Sequence, residues 1–204
     1  MRWKDGQKDE TRAAIVAAAA ELFRERGFGS TSVADVMARA GRTVGGFYAH
    51  FASKEELLTA VLDASFGSLE RTLLRGLERT DGAEFVQMVT RRYLSPAHRD
   101  NPAHGCPLPA LALEVARLGT APQAALEEYL KQVTGLLAER SPQTRSGLSE
   151  AQLALGLTAL SVGGLLLARS VADPQLSNEI LQACTRLAAA EVQPDAPHPP
   201  EPSS

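Results

Sequence analysis

The stretch over residues 31–58 constrains the fold more than any other part of the chain. Ser32 can cap a first helix, because apolar residues follow it at i, i+3 and i+4 spacing. Gly41 can end that helix, since glycine adopts the left-handed conformation without steric cost. A second helix is expected over residues 43–50. Two short helices joined by a glycine-containing turn predict a helix-turn-helix, whose second helix enters the DNA major groove.

Small, aromatic, capping and basic residues follow one another in a fixed order in and after this stretch. They are Ala40, Gly41, Gly45, Phe47, Tyr48, His50, Phe51, Ser53, Lys54, Glu55, Leu57 and Leu58. With this pattern, residues 11–62 closely resemble the DNA-binding domain of TetR/AcrR-type repressors. The resemblance implies a homodimeric transcription factor, usually a repressor, that a small molecule releases from DNA.

The start of the second helix supplies the residues that should meet base edges. Arg42 can pair with guanine, and the methyl groups of Thr43 and Val44 can pack on a thymine methyl. The resemblance implies that Tyr48, His50 and Lys54 contact phosphates. The predicted DNA-binding residues are Ser32, Arg42, Thr43, Val44, Gly45, Gly46, Tyr48, His50 and Lys54.

Val44 and Gly46 depart from the pattern of many family members, which carry a polar or basic residue at the first position and a side chain at the second. The segment Val44-Gly45-Gly46 therefore offers DNA few side-chain hydrogen bonds. Each glycine also weakens a helix by about 1 kcal/mol relative to alanine. One interpretation is a close approach of the backbone to DNA, with a larger share of shape readout. The alternative is that the two glycines permit tight packing inside the protein.

Beyond residue 53, apolar residues spaced three or four apart predict six further helices, which makes the chain all-α. Residues 1–53 are expected to form the three-helix DNA-binding domain, and residues 54–192 a helical effector-binding and dimerisation domain. Residues 193–204 are rich in proline and polar residues, which predicts a disordered tail. A loop is expected over residues 95–105.

Cys106 is the sharpest candidate for effector sensing. It precedes Pro107 at the predicted start of the sixth helix, where a helix N-terminus lowers a thiol's pKa. The segment Gly105-Cys106 also resembles the NemR-like subgroup of the family, which implies sensing of electrophiles by thiol modification. The alternative is that Cys106 is a buried packing residue.

An effector pocket is expected among the fourth to eighth helices, for an apolar or weakly polar ligand. Its predicted lining residues are Phe66, Phe85, Met88 and Tyr93. Each of the four could instead be an ordinary core residue at helical spacing.

The eighth and ninth helices carry apolar stripes and glycines that let another helix approach closely. They are expected to pair with their symmetry mates in a four-helix dimer interface. The predicted interface residues are Leu153, Leu157, Leu160, Gly164, Leu176 and Ile180. The alternative is packing within one chain.

Charge is a weak guide to the partner of this chain. The net charge is −3, while residues 1–60 hold nine lysines and arginines against eight acidic residues. We therefore expect binding of double-stranded DNA, at a palindromic operator, to depend on a few placed contacts in a homodimer. His98, Asp100, His104 and Cys106 match no strong zinc pattern, so no metal and no cofactor are expected.

The sequence favours a cytoplasmic regulator over other classes. Neither an uninterrupted apolar run of about 18 residues nor a signal-peptide core is evident, so no membrane partner is expected. The two cysteines suit a reducing compartment. No phosphate loop and no Ser/His/Asp set points to an enzyme. The alternative is a carrier or enzyme that keeps the TetR fold without DNA recognition.

Overall fold

The structure is a computed structural model that describes residues 5–192 of the 204-residue chain. The described part is built from helices, as predicted, and its one extended pairing is an isolated bridge between Thr144 and Val192. The nine α-helices of this part are α1 Asp5–Arg26, α2 Val33–Arg39, α3 Lys54–Leu73, α4 Gly82–Tyr93, α5 Pro96–Arg99, α6 Leu108–Val115, α7 Thr120–Glu139, α8 Glu150–Ser170 and α9 Pro174–Glu191. The predicted tail lies outside the described residues.

The N-terminal helices form as their local signals predict. The inward stripe of α1 is buried, with Phe23 and Ile15 fully shielded from solvent. Ser32 and Asp35 form a reciprocal capping box at the start of α2. Gly41 has φ of 65°, the left-handed conformation expected at the end of that helix.

The second helix of the helix-turn-helix differs from the prediction. It is a six-residue 3₁₀-helix, Val44–Ala49, which we call the recognition segment. Its N-cap, Thr43, makes no side-chain capping hydrogen bond. Two consecutive glycines and a missing cap both disfavour an α-helix, so the tighter and shorter 3₁₀ form is consistent with the sequence of this segment.

The C-terminal helices have three notable local features, of which the last differs from the prediction. The long helix after Ser53 ends at Leu73, before Gly76. Asp81 makes no capping hydrogen bond, because its carboxylate accepts from Arg140 Nε at 2.9 Å. The predicted loop over residues 95–105 contains α5 and a 3₁₀ turn, Pro102–His104.

The core of the N-terminal helices extends beyond them into the rest of the chain. One buried cluster joins α1, α2 and the recognition segment to Leu57 and Leu62 of α3, Leu111 and Val115 of α6, and α7. In the C-terminal part, α3 packs along α7, and α8 packs against α7 and α9. The two parts of the chain are therefore in direct mechanical contact.

Helix α8 has an unusual composition. Within the described residues it is long and apolar enough to cross a membrane, and 39% of its most apolar window is buried inside the protein. A core helix of a soluble protein passes the same test of length and composition.

Candidate nucleic-acid interface and ligand cavity

The recognition segment presents an exposed surface on a buried anchor. Phe47 is fully buried and packs against Phe51, with the ring centroids 5.7 Å apart. Around this anchor Arg42, Thr43, Val44, Gly45 and Tyr48 are exposed, and the exposed fractions of Val44 and Tyr48 are 47% and 69%. Apolar and aromatic side chains left in water on a small protruding element are available to a partner.

The glycine pair of the recognition segment is not packed tightly. A Cβ atom built on Gly45 would meet nothing within 4 Å, and one built on Gly46 would come no closer than 3.8 Å, to Met37. Neither glycine has positive φ. The structure therefore offers no internal packing reason for either glycine.

Lys54 is occupied within the protein. Its Nζ donates to the carbonyl oxygens of Phe28 at 2.9 Å and Thr31 at 3.0 Å, and it lies 4.1 Å above the Phe28 ring centroid. A lysine ammonium has three donors, so one is left for a phosphate. Its main contribution here is to hold the turn before α2.

Two other predicted contacts have local structural roles. The Ser32 hydroxyl is engaged in the capping box with Asp35. His50 is half-buried, and its Nδ1 is buried without a hydrogen-bond partner in the described structure. Burial, and secondarily the charges of Lys8 and Arg12, lower the pKa of His50 below its usual value.

Sequence reasoning missed the role of Glu114 in α6. Its carboxylate accepts hydrogen bonds from the backbone N–H groups of Phe28 at 2.8 Å and Gly29 at 2.6 Å. Gly27 has φ of 85°, and a Cβ atom there would lie 2.7 Å from the same carboxylate. Glu114 is distant from this turn in the sequence. The only sequence signal for the contact is the pair of glycines, Gly27 and Gly29, on either side of Phe28.

A cavity lined mostly by apolar side chains lies among α3, α4, α6, α7 and α8; we call it the apolar cavity. Its volume is ≈ 50 Å³. Of the predicted pocket residues, the structure brings Phe66, Tyr93 and Cys106 together in its wall. Phe85 and Met88 do not line it. Phe85 is fully buried under the Arg140 guanidinium, 3.9 Å from its ring centroid, and Met88 faces a separate surface groove.

Two residues in the wall of the apolar cavity carry a buried hydroxyl that makes no hydrogen bond to a nitrogen or oxygen atom in the described structure. They are Tyr93 on α4, whose hydroxyl lies beside the Cys106 thiol, and Thr158 on α8. The exposed fractions of these residues are 7% and 9%. Burial raises the pKa of Tyr93 well above its usual value, and the neighbouring Cys106 thiol adds to that shift.

The expectation that a helix N-terminus lowers the pKa of Cys106 is wrong. The thiol is 3% exposed, and burial raises its pKa, outweighing its contacts with the Tyr129 and Tyr93 hydroxyls. Its Sγ lies 3.4 Å from Tyr129 Oη. Pro107, not Cys106, is the N-cap of α6. The thiol is therefore chiefly a neutral packing group in this state.

The polar residues before α6 serve the fold. His98 Nδ1 lies 2.7 Å from the Tyr93 carbonyl oxygen, and its Nε2 accepts from the Cys106 N–H at 3.1 Å. Burial is the main cause of the lowered pKa of His98. In residues 5–192, no three histidine, cysteine, aspartate or glutamate side chains are grouped to hold a metal.

The predicted dimer residues on α8 need correction. Leu153, Leu157 and Gly164 are buried inside the chain, and Leu160 is half-buried. Gly164 is required there, because a Cβ atom on it would lie 2.7 Å from Cys184 Sγ of α9. On α9, Leu176 is 44% exposed, whereas Ile180 is half-buried.

A different apolar stripe of α8 and α9 faces outward, and we call it the exposed leucine face. On α8 it contains Leu155 and Leu167, each 57% exposed, together with Leu166 at 45%. On α9 it contains Leu176 and Leu187, the latter 62% exposed. Leu155 and Leu166 lie about three helical turns apart on the same side of α8, and Leu167 lies about 100° further around the helix.

Residues 15–61 match the family model of bacterial regulatory proteins of the tetR family. This segment therefore has the sequence of a TetR-family DNA-binding region. A segment of 66 residues is 42% identical to an HTH-type transcriptional repressor of Mycobacterium tuberculosis, covering 32% of this chain and 35% of that protein. A segment of 88 residues is 35% identical to the HTH-type transcriptional regulator UidR of Escherichia coli, covering 43% of each chain. The chain thus matches less than half the length of these curated relatives.

The TetR-like architecture extends over most of the chain. The reduced form of Escherichia coli NemR superposes with a TM-score of 0.75 at 22% identity, covering 92% of this chain and 100% of that one. AibR, solved in complex with isovaleryl coenzyme A and operator DNA, superposes with a TM-score of 0.63 at 20% identity, covering 89% and 99%. At these identities the likeness concerns the fold.

Proposed function

We propose that this chain is a cytoplasmic, DNA-binding transcriptional repressor that acts as a homodimer on a palindromic operator and is released by a small apolar ligand. The observation that carries the proposal is the exposed recognition segment, placed on a buried Phe47 anchor within residues that match the TetR-family model. The matched relatives are named as regulators, which favours this activity over an enzyme or a carrier.

DNA contacts follow from the exposed residues. Arg42 precedes the recognition segment and can donate a bidentate pair to guanine, while Thr43 and Val44 offer methyl groups to thymine. Tyr48 and the remaining donor of Lys54 can contact phosphates. Ser32 and His50 support these contacts by fixing the ends of the two helices. Close backbone approach at Gly45-Gly46 completes the proposed surface.

Homodimerisation is supported by the exposed leucine face. Leucines that are about half exposed on two neighbouring long helices form an apolar patch, and such patches mark interaction sites. Two-fold pairing of α8 and α9 with their mates would give a four-helix interface. A dimer doubles the DNA contacts, which a chain of net charge −3 needs.

Two contacts can transmit a change in the apolar cavity to the DNA-binding helices. Leu108 at the start of α6 lines the cavity, while Glu114 near its end holds the turn of Phe28 and Gly29. Arg24 of α1 donates to the Ala103 carbonyl oxygen at 3.1 Å, just before Cys106. A ligand that shifts α6 or this segment would therefore reorient the recognition segments, and a coupling of about 1–3 kcal/mol suffices for a switch.

Release by thiol modification is the second candidate trigger. Cys106 lies in the wall of the apolar cavity, so a bulky adduct there would push on the same helices. Its burial and raised pKa both slow attack on an electrophile. We therefore place a reversible apolar ligand first, and Cys106→Ser separates the two triggers because it should abolish only electrophile-dependent release.

The proposal is tested by fluorescence anisotropy with DNA from upstream of the protein's own coding region, at two salt concentrations. We expect selective binding that weakens as salt rises. Arg42→Ala should reduce affinity about tenfold or more, the value of one good base contact. The control Arg79→Ala removes an exposed arginine of the loop before α4. Absence of binding to any DNA at low salt, or equal effects of the two variants, would overturn the proposal.

A further inference from the structure

We propose that the apolar cavity takes a neutral, largely apolar ligand whose polar group is an oxygen that accepts hydrogen bonds from Tyr93 and Thr158. The inference deepens the proposed function and rests on it, because it gives the chemical class of the effector.

The two hydroxyls are the observation that points to a ligand. Both belong to buried residues of the cavity wall, on two different helices. The Thr158 hydroxyl has no hydrogen-bond partner in the described structure, and the Tyr93 hydroxyl has only the Cys106 thiol, a weak partner, beside it. Buried polar atoms are nearly always hydrogen-bonded, so a pair left open in one cavity is a feature to be explained. Other helical threonines show the usual arrangement: Thr134 on α7 and Thr185 on α9 each donate to the carbonyl oxygen one turn earlier, at 2.8 Å.

The chemistry of the hydroxyls selects an acceptor. Burial raises the pKa of Tyr93, so its hydroxyl keeps its proton at physiological pH and can donate. The Thr158 hydroxyl can donate as well. A carbonyl oxygen has two lone pairs and accepts hydrogen bonds from such donors, whereas a hydrocarbon leaves them unsatisfied.

The rest of the wall excludes an anionic group. The lining is dominated by leucine, valine and phenylalanine side chains, and it includes no lysine, arginine or histidine among the described residues. Its one ionisable carboxylate is that of Glu70, an exposed residue at the edge. A buried carboxylate or phosphate without a cation pays a large desolvation cost. The exposed carboxylate of Glu70 would add little binding energy for a cationic ligand, because ion pairs in contact with water are weak.

The size of the cavity favours a small ligand. A volume of ≈ 50 Å³ is below the roughly 300–1,000 Å³ of pockets for drug-sized ligands. A single-ring compound is therefore a suitable probe, and its entry must widen the cavity.

The test uses four probes of nearly equal shape on the full chain: acetophenone, α-methylstyrene, benzoate and 1-phenylethylammonium. They differ in carrying a carbonyl oxygen, a methylene group, a negative charge or a positive charge. Binding is measured by ligand-detected NMR titration. We expect acetophenone to bind at least about fivefold more tightly than α-methylstyrene, since only the ketone satisfies the buried donors. The two charged probes should bind more weakly still.

The variants Tyr93→Phe and Thr158→Val remove each hydroxyl and keep the shape of the side chain. Each should reduce the preference for acetophenone over α-methylstyrene, and the double variant should abolish it. Thr185→Val, which removes a threonine hydroxyl outside the cavity, should leave the preference intact. Thermal melts of all variants check that they fold.

Equal binding of acetophenone and α-methylstyrene, no binding of acetophenone, or preference for a charged probe would each overturn the inference. A preference that persists in the double variant would do so too. Operator binding measured on the same samples separates the two proposals. If operator binding is intact but ketone binding does not depend on the two hydroxyls, only the proposed ligand class is rejected. If ketone binding depends on the hydroxyls but the protein has no affinity for DNA, the proposed repressor function is rejected and the ligand class is retained.

Discussion

At the turn between α1 and α2, one carboxylate fixes the backbone of the DNA-binding domain. Glu114 accepts from two successive N–H groups, and Gly27 has positive φ and no room for a Cβ beside that carboxylate. Lys54 holds the Phe28 and Thr31 carbonyl oxygens of the same turn. The carboxylate of Glu114 thus accepts from the N–H groups of this short segment, and the ammonium of Lys54 donates to its carbonyl oxygens. No helix or strand of the described chain pairs these backbone groups.

His98 makes the stability of the protein depend on pH. Its lowered pKa means that the folded state binds the proton less well than the unfolded state, whose value is near 6.5. The contribution of neutral His98 to the free energy of unfolding is therefore fully present above about pH 6.5. It should decrease as the pH drops from there toward the pKa of His98 in the folded state. Urea unfolding between pH 8 and 5 should show this decline, with a smaller slope for His98→Gln.

The exposed imidazole of His104 supplies the control for that experiment. His104→Gln removes a surface imidazole and should reduce the slope less than His98→Gln does, and His50, whose pKa is also lowered, leaves a residual slope in both variants. An identical pH profile for the His98 and His104 variants would refute the assignment to His98.

At the scale of the element, the recognition segment is short because its two glycines and its missing side-chain cap make a longer helix unstable. A 3₁₀-helix of six residues with two glycines has little intrinsic stability, and the burial of Phe47 holds it in place. α6 is also short, yet it connects the apolar cavity at Leu108 with the turn at Glu114. Both elements therefore depend on tertiary contacts.

Gly45→Ala should separate protein stability from DNA binding. The added methyl meets nothing within 4 Å, so the free energy of unfolding should rise by about 0.5–1 kcal/mol. If the backbone approaches DNA here, the same methyl should weaken operator binding about tenfold. Gly135→Ala is the matched control, since its added Cβ in α7 also meets nothing within 4 Å. Unchanged affinity for Gly45→Ala would rule out close approach at this residue.

Glu114→Gln should weaken the connection between α6 and the DNA-binding helices. The amide can accept one of the two N–H groups but turns a donor toward the other, so unfolding should become easier by about 1–3 kcal/mol. Urea titration measures the loss, and hydrogen exchange at the Phe28 and Gly29 amides locates it. Glu84→Gln changes an exposed carboxylate of α4 for comparison. Equal unfolding midpoints for the two variants would contradict this role of Glu114.

At the scale of the whole molecule, the buried cluster of the DNA-binding helices includes residues of α6 and α7. A domain with a closed core of its own could move independently, whereas this arrangement ties the orientation of α1 to α6. The exposed leucine face lies on α8 and α9, outside that shared core. The proposed dimer interface and the proposed DNA contacts therefore lie on separate helices of one molecule.

Leu155→Glu should disrupt the proposed dimer. It places a charge where a leucine would be buried against a second copy, so the dimer dissociation constant should rise about 100-fold or more. Sedimentation velocity over a range of concentrations measures the change, and operator affinity should fall with it. Leu113→Glu alters a leucine of α6 that is 67% exposed and should leave the assembly unchanged. A monomer in the unmodified protein, or equal behaviour of the two variants, would reject the interface.

The sequence by itself determined the features that depend on residues within one helical turn. The cap at Ser32 and the left-handed stop at Gly41 appear as predicted, and Ser149 and Asp173 cap α8 and α9 through the same kind of local hydrogen bond. Each uses hydrogen bonds or backbone preferences between neighbours, so a local pattern contains the whole interaction. The resemblance of residues 11–62 rests on the same short-range order.

Only the tertiary structure decided which of several apolar faces is covered, and by what. Helix α8 is apolar on more than one side, so its periodicity could not tell that Leu157 faces inward and Leu155 outward. The pKa of Cys106 followed its burial and not its place before a helix, because desolvation depends on all the elements around a group. The contact of Glu114 with Phe28 likewise joins residues whose proximity exists only in the folded chain.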